Sequence, residues 1–83
     1  MIYFEMEGYK EDDRVYPSVT VRRSTFKEAI RELSRFAGGL LHYSRVVVYY
    51  VGEVDNKAVK LYKWNFKASA LGDFVLLNCP FLE

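Results

Sequence analysis

The chain has 83 residues, 51% hydrophobic and 17% aromatic, with 12 Lys and Arg against 11 Asp and Glu for a formal net charge of +1. That length builds one hydrophobic core, so a single domain over residues 1–83 is expected; the apolar content argues against a disordered chain, and the balanced charge against a global field that would gather nucleic acid or anionic lipid. A lone cysteine, Cys79, excludes an internal disulfide framework and zinc sites that need several thiolates.

Ile2, Phe4 and Met6 alternate with Tyr3, Glu5 and Glu7, the period of a strand with one buried face. A charged run, Lys10 to Arg14, interrupts the pattern before Val15, Pro17, Val19 and Val21 resume it. The two strands are expected to form a hairpin, with Pro17 at an edge or bulge because it has no amide proton to donate. The period then changes. Phe26, Ala29, Ile30, Leu33, Phe36, Ala37 and Leu40 fall at helical spacing, with Lys27, Glu28, Arg31, Glu32 and Arg35 on the other face. Thr25 and Glu28 fit a capping box, Ser24 reads as a cap, and Gly38-Gly39 supplies a left-handed stop.

Val46 to Val51 is β-branched and aromatic throughout, which suits a central strand, and Asp55-Asn56-Lys57 is turn chemistry leading into a fourth strand from Ala58 to Trp64. Lys67 to Gly72 reads as a small, flexible connection, and Phe74 to Leu77 as a short fifth strand stopped by Pro80. The expected fold class is α+β, in the order ββαβββ: a mixed, mostly antiparallel sheet with one amphipathic helix packed on one face. The longest apolar stretch, Val46 to Val51, is far below the roughly 20 residues that span a bilayer as a helix. The opening Met1-Ile2-Tyr3-Phe4-Glu5 does not resemble a secretory signal. With one cysteine, a reducing cytoplasm is the natural setting.

The acidic turn Glu11-Asp12-Asp13 is the sharpest local feature, because it crowds like charges within a few ångströms. Ca²⁺ takes oxygen ligands in irregular geometry and would relieve that repulsion. The expected topology brings the carbonyls at the helix C-terminus and Asp73 to the same end. Lys10 and Arg14 flank the carboxylates, so a solvated turn neutralised without metal is the competing reading. Length, the ββαβββ order and this acidic turn together resemble the small archaeal α+β proteins described as binding calcium. The resemblance implies a non-enzymatic calcium-binding protein, with Glu11, Asp12, Asp13 and Asp73 as candidate ligands. A site on so exposed a turn would bind in the 10⁻⁴–10⁻³ M range, roughly that of extracellular modules.

The second feature is the sheet face turned away from the helix. By alternation it would carry Tyr3, Tyr16, Thr20, Arg22, Val47, Tyr49, Val51, Lys60, Tyr62 and Trp64, more aromatic than a wet face requires. Tyr3, Tyr16, Tyr49, Tyr62 and Trp64 are therefore candidate anchors for a second copy of the chain or another protein. Burial under the C-terminal segment is the alternative. Single-stranded nucleic acid could stack on such a face, but Glu5, Glu7 and the near-zero net charge oppose it. No spacing of Ser, His and acid suggests a catalytic triad, so no enzymatic activity is expected. His42 and Cys79 read as packed residues, and Gly38-Gly39 follows a helix instead of preceding one, unlike a phosphate-binding loop.

Overall fold

The alternation at the N-terminus becomes β1, Tyr3–Tyr9, whose inward residues Phe4 and Met6 are buried. A computed structural model of the chain describes residues 2–11, 13, 15–37 and 43–77. The remaining elements are β2 (Val19–Arg23), α1 (Phe26–Ala37), β3 (Arg45–Val54), β4 (Lys57–Phe66) and α2 (Ala68–Leu77). The sheet order is β2-β1-β3-β4 and every neighbouring pair is antiparallel. β2 and β3 run in the same direction but are separated by β1, so the sheet is antiparallel throughout instead of mixed.

Two further expectations need correction. The second strand begins at Val19, not Val15. Pro17 lies outside the ladder, and Val15 and Tyr16 are exposed. Pairing resumes only after the residue that lacks an amide proton, where Ser18 N donates to Gly8 O at 2.8 Å. The larger correction is at the C-terminal end, where the expected flexible connection over Lys67–Gly72 and fifth strand at Phe74–Leu77 give way to the single helix α2, Ala68–Leu77, so the order is ββαββα. The helix opens with Leu71 N donating to Lys67 O at 2.9 Å, and Leu71 is fully buried against the core. Ala68, Ala70 and Leu71 are strong helix formers. The apolar run after them fits a packed helix as readily as a strand.

Both helices lie on one side of the sheet. Phe26, Ala29, Ile30 and Leu33 of α1 and Leu71 of α2 share a core with Phe4, Met6, Val21, Val46 and Val48. Phe26 meets Phe4 edge-on, with ring centroids 6.1 Å apart. At the start of α1, Thr25 Oγ1 accepts from Glu28 N at 3.2 Å, which satisfies one of the orphan amides. The expected stop at Gly38-Gly39 lies outside the described residues. Tyr43 crosses back under the helix and donates its hydroxyl to Leu33 O at 3.0 Å. Its ring fills the space where Gly8 has no side chain.

The β3–β4 hairpin closes on Asp55 and Asn56, with φ of 52° and 62°, the two positive values of a type I′ turn. Its ladder carries one irregularity. Tyr50 pairs with Tyr62 but Val51 pairs with Lys60, so Leu61 is an extra residue in β4. No helix among the described residues is long and apolar enough to cross a membrane.

Candidate interaction surface

The sheet face away from the helices is centred on Glu5, a carboxylate only 4% exposed. Burying it requires compensation. Arg22 of β2 donates through Nε at 2.6 Å, and Lys60 of β4 reaches across β3 to its other oxygen at 3.2 Å. Lys60 Nζ also sits 4.0 Å from the centre of the Tyr49 ring, with Lys63 Nζ at 5.8 Å. Arg45 covers the Tyr9 ring at 3.7 Å, and the Tyr9 hydroxyl donates to Glu7 at 3.2 Å.

Ionisation behaviour follows from these contacts. Partial burial alone would lower the Lys60 pKa, but its bond to Glu5 and that carboxylate's charge outweigh the loss of water, and the pKa rises. Burial, followed by the nearby Glu7 carboxylate, holds the Tyr49 hydroxyl above its ordinary value. Arg22 and Lys60 are matched to Glu5 at the centre of this face, and ammonium or guanidinium groups already occupy the faces of Tyr49 and Tyr9. A base could stack there only by displacing them, so the network is a strap across the sheet more than a binding platform.

The expected aromatic face is therefore divided. Tyr3 and Tyr49 lie on this side. Tyr62 and Trp64 lie on the helix side, because they pair with Tyr50 and Val48, whose side chains point to the core. Alternation had placed Lys60, Tyr62 and Trp64 together, and the extra residue Leu61 sets Lys60 on the opposite face from the other two. Tyr16 stands exposed on the β1–β2 connection, outside the sheet.

On the helix side, Tyr50, Tyr62 and Trp64 form a ladder of rings, with centroids 6.1 and 5.8 Å apart. Phe4 joins it at 5.2 Å from Tyr50. The ladder begins under cover, since Trp64 and Tyr50 are packed against the core, and then runs out into solvent toward the hairpin tip. Tyr62 is 61% exposed, Val54 46%, Leu61 45% and Val59 38%. Leu61 lies across Gly52, close enough that an added Cβ there would meet its Cδ1 at 2.6 Å. Pairing places Val59 opposite Gly52 and Val54 opposite Lys57, on the same side. The bulge thus turns two neighbours, Leu61 and Tyr62, toward one face, where strict alternation would have separated them. Sequence reasoning missed Val54, Val59 and Leu61. Gly52 within a β-branched strand was the available signal, because an interior strand glycine marks a bulge or a close approach.

The acidic turn is exposed at Glu11 and Asp13, Asp12 lies outside the described residues, and Asp73 is exposed on α2. The β1–β2 connection and the start of α2 do share one end of the sheet, where Tyr9 pairs with Arg45 and Val46 with Phe66. Among the described residues, however, no three His, Cys, Asp or Glu side chains are gathered as a metal ion would need. His42 and Cys79 also lie outside the described residues. Two open cavities, of about 380 and 290 Å³, border β2. The cations lining them are engaged, Arg22 with Glu5 and Arg23 with Glu32 at 3.3 Å. Val54, Val59, Leu61 and Tyr62 thus make the end of the β3–β4 hairpin a run of exposed apolar side chains on one sheet face. No known protein family, curated protein or solved structure matches the chain.

Proposed function

We propose that the protein is a non-enzymatic interaction module, whose docking surface is the helix-side end of the β3–β4 hairpin around Tyr62. One observation carries this reading: the ring ladder of Trp64, Tyr50 and Tyr62 extends into solvent and continues into Leu61, Val59 and Val54, all substantially exposed. Contiguous exposed apolar surface is costly to leave in water and marks binding sites. Tyrosine at its centre is a preferred anchor. A photoreactive amino acid at position 62 should give discrete protein adducts in the native cell extract, whereas one at Lys27, exposed on α1, should not. Equal labelling at both positions would remove the assignment.

Calcium binding by the β1–β2 connection is the narrower alternative, resting on the exposed carboxylates of Glu11 and Asp13, with no third acidic ligand gathered beside them among the described residues. It predicts amide shifts confined to residues 10–14 and the start of α2 as CaCl₂ is raised through the millimolar range. Scattered or absent shifts would dispose of it.

A further inference from the structure

The surface around Tyr62 belongs to β4, and β4 is an edge strand among the described residues, since its only sheet neighbour is β3. An edge strand leaves half of its backbone donors and acceptors for another chain, and its side chains set what that chain must carry. The two faces of β4 differ sharply. On the helix side, beyond Lys57 at the turn, stand Val59, Leu61 and Tyr62, all exposed and apolar. On the other side stand Lys60 and Lys63, and the strand carries no carboxylate.

We propose that β4 accepts a segment of a partner protein as a fifth strand, and that this segment alternates apolar residues with Asp or Glu. The inference rests on the reading of the Tyr62 surface as a docking site and specifies its occupant. Apolar residues of the added strand would cover Val59, Leu61 and Tyr62, while one carboxylate would face exposed Lys63 and the next would share the half-exposed Lys60 ammonium with Glu5. The bulge makes the spacing work. Lys60 and Lys63 are three apart in sequence, yet they pair with Val51 and Tyr49, which are two apart on β3. A neighbour with acids at every second position can therefore meet both lysines. A second copy of the chain is the poorer occupant, because antiparallel pairing of β4 with itself sets Lys60 and Lys63 of one strand beside the same two of the other. Strand addition of this kind draws its affinity from main-chain bonds and its selectivity from alternate side chains.

The test uses blocked eight-residue peptides and two readouts, the fluorescence of Trp64 and backbone amide shifts of the intact protein. A peptide alternating valine and glutamate should shift the amides of β4, bind at least tenfold more tightly than its valine–lysine counterpart, and weaken steeply with salt. Lys63→Glu should cost at least tenfold, and Lys63→Gln an intermediate amount, with thermal unfolding confirming that both variants fold. Two further peptides carry N-methyl groups on alternate amides, one blocking each edge; only one of the pair should retain binding. Equal binding by both would exclude strand pairing while leaving the Tyr62 surface a docking site. Amide shifts confined to β2, the other edge, would also overturn the proposal. So would failure of the valine–glutamate peptide to bind, and if position 62 still cross-links to partner proteins, the docking assignment survives without this occupant.

Discussion

Gly8→Ala should destabilise the fold by about 1–3 kcal/mol, the usual cost of forcing an extra methyl into a packed core. For a domain of this size that is a fall of about 4–8 °C in the unfolding midpoint for each kcal/mol. In most strands the same change is mildly favourable, because alanine loses less backbone entropy than glycine. Here the sign reverses. A Cβ at position 8 would lie 2.5 Å from Cε1 and 2.7 Å from Cδ1 of Tyr43. That ring cannot step aside cheaply, since it is buried and its hydroxyl is tied to Leu33 O in α1. Gly8 itself is pinned between Val19 and Val46 in the centre of the sheet. Gly8→Val should be worse still. Combining Gly8→Ala with Tyr43→Ala should cost less than the sum of the two single changes, because the second removes the ring that the first strikes. Denaturant unfolding of the three variants measures that coupling, and a Gly8→Ala protein as stable as the parent would refute the account.

The contact between Gly8 and Tyr43 illustrates what a linear reading can see. Residues 8 and 43 are distant in the chain, and nothing in the local pattern says that one side chain will occupy the space the other lacks. By contrast, β1, α1, β3 and β4 were visible because each has a cause that acts within a few residues. Alternation, helical spacing from Phe26 and the Thr25 cap set the first two. The β-branched run Val46–Val48 and the turn residues Asp55 and Asn56 set the others. The two halves of α2 read as a flexible connection and a strand because the signal is ambiguous: Phe74 to Leu77 is apolar on every side, and Gly72 disfavours either element. Only the burial of Leu71 against Val46 and its neighbours makes the helical choice, and that is a tertiary fact.

The candidate site was legible in composition and illegible in arrangement. Tyr62 and Trp64 stand out in the sequence as aromatic residues beyond what a wet strand needs. Their assignment to the face of Tyr49 failed on a single residue, because a side-chain period of two turns any insertion into a change of face. The same insertion conceals the apolar patch, since Leu61 and Tyr62 are consecutive in sequence and so would be placed on opposite sides. The Glu5 strap was equally hidden. It needs Arg22, seventeen residues on, and Lys60 from a strand two places away in the sheet.

Removing the side chain of Leu71 should detach α2 as a unit. An isolated helix shorter than about 12–15 residues is marginal in water, and α2 has ten, one of them Gly72. Packing must therefore hold it, and the described anchors are two. Leu71 is fully buried, and Phe74 lies against Phe66 at the end of β4 with ring centroids 5.9 Å apart. Leu71→Ala should cost about 2–5 kcal/mol, the range for truncating a buried leucine, and Leu71→Asp should cost more because it places an unpaired carboxylate in the core. The loss should be regional. Amides of α2 should exchange rapidly while those of β1 and β3, held by α1 and by the sheet, keep much of their protection. Gly72→Ala should act in the opposite sense, adding about 0.5–1 kcal/mol, because alanine is the better helix former and a Cβ there meets nothing within 4 Å. Opposite signs at adjacent positions are a demanding signature, since a strand at 71–77 would give no reason for Gly72→Ala to protect the amides of its own segment along a helical ladder. If exchange showed the whole molecule opening together in Leu71→Ala, α2 would be part of the single cooperative core, and the ring ladder from Trp64 to Tyr62 would depend on it directly.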